Sequence, residues 1–475
     1  MLTEETRTMS KLLRRPTAQI DVNAQGRFEK FNLKENPFPS QPVVNKDSAD
    51  KRYNGDIFEM AIRQKEYDQI KTCFLRQAQS NLNHLRLGYI IEFSYTGRGN
   101  GKSAFAVNLQ QDINRDFCLD ISDDVNKCFA IYVTPEPGGQ TKTFGSFVDL
   151  IFKAIIDSNV IRYCLATLRL EAIAELYPDL DLDDYDEKEL VDALNTEAWL
   201  AENSLDHNQI LKHIYKNEYL QDLPPSFPIY KNRWVIDRHF VTQDDFISKY
   251  KSDFRKNSEQ SEFVFSHLVR LFQAAGFNGC YVLVDDFERI TEFQTTRQKK
   301  DFALELRTCL FDGLYLSAKL GFYNFLLILH AGVQRSISDA WAESGMENRS
   351  PISPPTATNQ HIIRFENLGK EHASLLIKKY LAEYRISPNS HDGLLPFTEG
   401  AISKIGELTE YNAGKILKMA YELVDKAANL EEYRIIDEAF VSDNKGVRED
   451  ATDKNISSIE NAQSVDLMDK AGGNE

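Results

Sequence analysis

Apolar residues in this chain fall into short unbroken runs separated by long amphipathic stretches. Runs over residues 89–93, 129–133, 280–284 and 323–329 have the length and composition of strands buried on both faces, the pattern of a parallel sheet. Helical spacing predicts helices over 55–79, 102–116, 150–176, 190–215, 264–275 and 298–320. The first of these has Ile57, Ala61, Tyr67, Ile70, Phe74 and Leu75 available for its buried face. Three more helices, over 370–384, 398–407 and 413–429, follow the last strand and form a compact helical domain. The interval between the second and third strands far exceeds the dozen or so residues that a parallel crossover needs. A mainly helical insertion over about 140–262 is therefore expected, broken at Pro224, Pro225 and Pro228.

The chemistry lies where two of these strands end. The first run passes into Thr96-Gly97-Arg98-Gly99-Asn100-Gly101-Lys102-Ser103. Glycines let a backbone bend around a polyphosphate with N–H groups pointing inward, the lysine reaches the outer phosphates, and the serine hydroxyl can ligate Mg2+. The helix starting at about Lys102 adds its positive N-terminal end. The usual pattern has glycine six residues before the lysine; here Thr96 stands there, with Gly97 beside it and Gly99 inside the loop. Candidate ATP-binding residues are thus Thr96, Gly97, Gly99, Asn100, Gly101, Lys102 and Ser103. The third run ends in Asp285-Asp286-Phe287-Glu288. Ligands of parallel sheets collect at the carboxyl ends of strands, so Lys102 and Asp285 are expected to converge from adjacent strands on a metal-bound polyphosphate. In this reading Asp285 and Ser103 serve Mg2+, and Asp286 or Glu288 positions the attacking water. The fold expected is α/β: a P-loop NTPase three-layer sandwich with a parallel sheet, the large helical insertion and a C-terminal α-helical lid.

An acidic stretch inside the insertion, Asp179-Leu180-Asp181-Leu182-Asp183-Asp184, fails as a calcium loop. Its sixth position is Asp184 instead of glycine, and its twelfth is Leu190 instead of glutamate.

Composition narrows the partners. A chain of 475 residues accommodates two or three domains, and 27% charged with 42% hydrophobic residues is ordinary for a globular protein. A net charge of -16 opposes uniform attraction to nucleic acid, and no zinc finger, helix-turn-helix or aromatic-basic stripe is visible, so DNA is a possible partner that the residues do not show. The six cysteines are scattered without metal-site spacing and read as reduced thiols. The longest apolar stretch, around 325–331, is far below the ~20 residues that cross a bilayer. Residues 1–25 are polar and lack the hydrophobic region of a secretion signal, making the cytoplasm the expected compartment. The expected organisation is a flexible N-terminus (1–30), a core (31–365), a helical lid (366–440) and a disordered tail (441–475). Within it, the proline-braced stretch from Phe31 to Pro39 is expected to pack its aromatics on the core.

Together these parts resemble an AAA+ ATPase, in the branch that includes origin-recognition initiators, transposition regulators and ATP-binding subunits of bacterial phage-exclusion systems. Besides the glycine and acidic motifs, the resemblance rests on Leu33-Lys34-Glu35-Asn36-Pro37-Phe38, on the strand at 325–332, and on Leu394-Leu395-Pro396-Phe397-Thr398 with Tyr411-Asn412-Ala413-Gly414-Lys415-Ile416-Leu417. It implies that His330 is the polar sensor of the γ-phosphate or its attacking water, that Lys415 is the lid's phosphate sensor, and that Arg349 is donated to a neighbouring subunit's nucleotide. It also implies ATP hydrolysis with Mg2+, a homo-oligomer, a protein effector partner, and a DNA-linked setting such as anti-phage defence or mobile-element control. Asp286 stands where the family usually has glutamate, and the paired aspartates resemble those of slowly cycling signalling ATPases. The alternative reading is a nucleotide-gated switch that regulates a partner with little turnover.

Overall fold

The computed structural model describes residues 26–76, 84–92, 99–229, 239–254, 256–330, 333–352, 359–387 and 393–444. Expectations for residues 1–25, for Thr96 and Gly97, and for 445–475 lie outside these described residues.

The chain forms an α/β fold around a five-stranded, all-parallel sheet. Its strands are β1 (Leu87–Glu92), β2 (Lys127–Val133), β3 (Phe277–Val284), β4 (Tyr323–Leu329) and β5 (Ile362–Phe365), in the order β2-β3-β4-β1-β5. Every residue of β1 and β4 is buried. Alternation sends neighbouring residues to opposite faces. Ile91, Ile131, Val282, Val284 and Leu327 enter the larger apolar cluster with the insertion's helices. Ile90, Ala130, Tyr281, Leu283 and Ile328 meet Phe105, Leu109 and Ile113 of the helix Lys102–Arg115. Burial on both faces is why these strands read as continuous apolar runs.

Two strand-level expectations change. The strands carrying the glycine and acidic motifs are not adjacent, because β4 pairs with both and lies between them. The fifth strand escaped detection: its four residues give too short a pattern, and it exists because Tyr89 to Glu92 offer it a ladder with Ile362 to Phe365.

Helix boundaries shift where local backbone chemistry interrupts the period. Residues 150–176 belong to two helices, Phe144–Asp157 and Val160–Leu176, separated at Asn159, whose φ of 58° is left-handed. Asparagine tolerates that conformation better than most residues. The 190–215 stretch is Glu187–Leu194, Glu197–Glu202 and His207–Ile214, the last capped by Asp206. The 298–320 helix stops at Leu310, and the chain turns through Gly313 at φ 73° before Leu316–Leu320. Within 55–79, the α-helix starts only at Gln64, Ala61 is exposed, and Arg63 is buried.

The chain divides into two compact units. One, residues 44–47 and 54–367, carries the sheet and the insertion. The other contains, among the described residues, 26–43, 48–53, 368–387 and 393–444. In it, the helices Lys370–Glu383, Glu399–Leu408 and Ala413–Ala428 surround the stretch expected to pack on the sheet domain. Phe38 stacks on Tyr380 and meets Phe397 edge-on, each at 6.0 Å, while Arg385 Nη1 donates to the Phe31 carbonyl at 2.8 Å. Buried Arg385 thus ties this N-terminal segment to the C-terminal helices. Among the described residues, no helix is long and apolar enough to cross a membrane.

Candidate site at the carboxyl ends of the central strands

Gly99 and Gly101 adopt φ values of 118° and 83°, and Gly101 is the left-handed N-cap of the helix Lys102–Arg115, with no side chain capping that helix. A Cβ at Gly101 would meet nothing within 4 Å. Its glycine is therefore demanded by backbone conformation rather than by crowding. The first N–H groups of such a helix lack intrahelical acceptors and favour an anion.

Lys102 is only 5% exposed. Its ammonium is ion-paired with the Glu92 carboxylate, from the last residue of β1, and lies 3.2 Å from His330 Nδ1. Glu92 Oε1 also accepts from Asn100 Nδ2 at 2.7 Å. Asn100 is held in turn: Nδ2 donates to Asn367 Oδ1 at 2.8 Å, and its carbonyl accepts from Arg63 Nη2 at 2.9 Å. The same Arg63 nitrogen donates to the Glu366 carbonyl at 3.0 Å, and the guanidinium lies 4.5 Å from the centre of the Phe365 ring.

The acidic motif begins one residue past β3. Buried Asp285 lies beside Ser103 and accepts from the Tyr132 hydroxyl at 2.5 Å. Burial raises the Asp285 pKa above the usual carboxylate value; the Ser103 and Tyr132 hydrogen bonds oppose this, and neighbouring Asp286 adds to it. A cation at this carboxylate would relieve both the burial and the repulsion. Asp286 takes a left-handed φ of 48° and is ion-paired with Arg289, whose Nη1 donates to the Pro135 carbonyl at 3.2 Å. Glu288, also buried, has Oε1 2.9 Å from His330 Nε2, and Asp286 Oδ1 is 3.5 Å from the same nitrogen. Burial disfavours a charged His330, but hydrogen bonds to Asp286 and Glu288 outweigh it and raise its pKa.

Although β4 separates the two motif strands, their ends converge. Ser103 lies beside Asp285, and Lys102 reaches Glu288 through His330. Asn100, Gly101, Lys102, Ser103, Asp285, Asp286, Glu288 and His330 form one neighbourhood on one unit. Arg349 stands apart, exposed in the turn after the helix Val333–Ser344. Lys415 belongs to the other unit, exposed in the first turn of the helix Ala413–Ala428.

Glu92, Tyr132 and Arg63 were not anticipated. Glu92 had a readable signal, a carboxylate ending an otherwise apolar strand, which needs a buried partner. Tyr132 looked like any core aromatic. Arg63 shares a helical face with Tyr67, Ile70 and Phe74, but an apolar pattern does not count a charged residue among the buried positions.

The acidic triad Asp286, Glu288 and His330 brings ligand atoms within 4.8 Å of one another. Both ring nitrogens of His330 are already engaged, Nδ1 lying 3.2 Å from the Lys102 ammonium and Nε2 2.9 Å from Glu288 Oε1. The oxygen pair of Ser103 and Asp285 suits a hard cation better. No family model, curated protein or solved structure matches this chain.

Proposed function

We propose that the sheet unit is a P-loop ATPase domain of AAA+ type, binding ATP with Mg2+ and hydrolysing it. The observation that carries this reading is the Lys102–His330–Glu288 chain, with contacts of 3.2 and 2.9 Å, beside buried Asp285 and Ser103 at the carboxyl ends of parallel strands. The strand order supports it, since β1 feeds the glycine loop while β4 and β5 flank it on opposite sides, the crevice where ligands of open α/β sheets bind.

The donor set fits the group. Left-handed Gly99 and Gly101 and an uncapped helix suit phosphate oxygens, and Ser103 and Asp285 would hold Mg2+. When bound, Mg2+ supplies neutralisation of phosphate charge. Lys102 would place its ammonium on the outer phosphates, with His330 beside it. Glu288, buried beside His330, would orient water, while Asp286 is held by Arg289. Exposed Arg349 is free of the core packing and suits donation to a second copy of the chain, making the active form an oligomer. A protein effector, and DNA in a defence or mobile-element setting, extend the same reading. Steady-state ATPase assays test it: Lys102→Ala and Asp285→Ala should each lower turnover by about 10²–10³-fold, and unchanged turnover in both would eliminate this site.

The Asp286–Arg289 pair favours a second reading, a slow nucleotide-gated switch for a partner protein. Prolonged ATP retention with a shift from monomer to oligomer would support it, and rapid multiple turnover would exclude it.

A further inference from the structure

The carboxylate holding Lys102 belongs to neither sequence motif. Glu92 is 2% exposed and closes β1, where its neighbours Ile90 and Ile91 are wholly apolar and buried. A charge in such a place persists only when paired. Both of its oxygens are used: Oε1 by Asn100 Nδ2 of the glycine loop at 2.7 Å, Oε2 by Lys102 at the start of the helix. Glu92 therefore engages the loop and the helix start at once. Asn100 carries the arrangement onward to Asn367, and Arg63 joins the Asn100 and Glu366 carbonyls.

Resting on the phosphate-site reading above, we propose that Glu92 is a resident anion that substitutes for phosphate on Lys102 and must release the lysine before a polyphosphate binds. The carboxylate and an outer phosphate would compete for one ammonium, and two anions cannot share it at close range without repulsion. The paired state is a binding-incompetent population, so the apparent dissociation constant is the intrinsic one divided by the fraction of molecules with Lys102 released. Glu92 thereby sets specificity: a ligand must bring enough negative charge, with its metal, to replace a buried carboxylate. Triphosphates meet that demand better than monophosphates. Release also frees the Asn100 amide that Glu92 holds, so the loop and the segment at Glu366 and Asn367 respond together.

Isothermal titration of the full chain with Mg-ATP, and separately with Mg-tripolyphosphate, tests the proposal. Glu92→Gln keeps an acceptor for Asn100 but removes the charge, and is expected to tighten both ligands threefold or more. Similar gains for the two ligands would place the effect at the phosphates instead of the base. Glu92→Asp keeps the charge but retracts it by one methylene; it should tighten binding by a smaller factor, and it preserves the test if the glutamine variant does not fold. Tightening of less than threefold in Glu92→Gln, or weaker binding in either variant, overturns the proposal. Lys102→Met separates this from the underlying reading. Binding that is lost in Lys102→Met yet unmoved by Glu92→Gln overturns the resident anion alone, whereas no binding by any form, wild type included, overturns the phosphate site with it.

Discussion

Two buried cations in the sheet unit are satisfied in opposite ways. Arg169, in the insertion helix Val160–Leu176, is 3% exposed, and its hydrogen-bond partners are neutral. Nη1 donates to the Leu194 carbonyl at 3.0 Å and Asn195 Oδ1 at 2.8 Å, Nη2 donates to the Val241 carbonyl, and the guanidinium sits 4.1 Å from the centre of the Phe240 ring. Burial pulls its pKa down to about 10. Lys102 instead faces a carboxylate and an imidazole. Carbonyls fixed by two chain segments cannot leave a guanidinium, whereas a carboxylate can rotate from an ammonium once another anion arrives. The planar fork of arginine suits a permanent bracket, and the single ammonium of lysine suits an exchangeable partner. The insertion is braced by its buried charge; the strand-end site is poised by its own.

Substitutions can break or sharpen this contrast. Arg169→Met should have the largest effect on folding, about 3 kcal/mol or more, because it leaves several buried acceptors without a donor. Urea unfolding measures the loss, and a cost below about 1 kcal/mol would mean that the bracket is dispensable. The double change Lys102→Met with Glu92→Leu should behave oppositely. Removing both members of a buried pair is often neutral or stabilising, so its unfolding free energy is expected within about 1 kcal/mol of the parent while nucleotide binding disappears. A drop as large as that for Arg169→Met would assign the pair to architecture.

A smaller effect is expected at His330 and depends on pH. Its folded-state pKa is raised because hydrogen bonds to Asp286 and Glu288 outweigh burial. The stability it adds is therefore full below the unfolded value of about 6.5 and is lost as pH rises through the higher folded-state value. In His330→Asn that decline should vanish from a series of denaturant midpoints; an unaltered slope would show that another group titrates. The smallest effect belongs to Arg349→Ala, within about 0.5 kcal/mol on stability because the side chain is exposed. If this arginine serves a neighbouring copy, ATP turnover nonetheless falls in concentrated protein, where oligomers form, while the melting temperature stays level.

Much of the architecture was legible in the sequence. Four apolar runs correspond to four of the five strands, because strands buried on both faces leave no polar alternation to confuse the reading. Lys102, Ser103 and Asp285 could be singled out because glycine-loop and strand-end chemistry is written in contiguous residues. The packing of Phe38 against Tyr380 and Phe397 was not legible, since nothing within residues 31–39 specifies which apolar surface they meet.

By itself, then, the sequence determined the parallel-sheet character of the core, the presence of an insertion and the identity of the two strand-end motifs, all products of local period and composition. Tertiary structure alone decided that β4 lies between the motif strands, that Ile362–Phe365 forms the fifth strand, and that Glu92 rather than solvent holds Lys102. These are non-local pairings. Strand order and the neutralisation of a buried charge depend on residues distant in the chain, and periodicity carries no record of which distant residues meet.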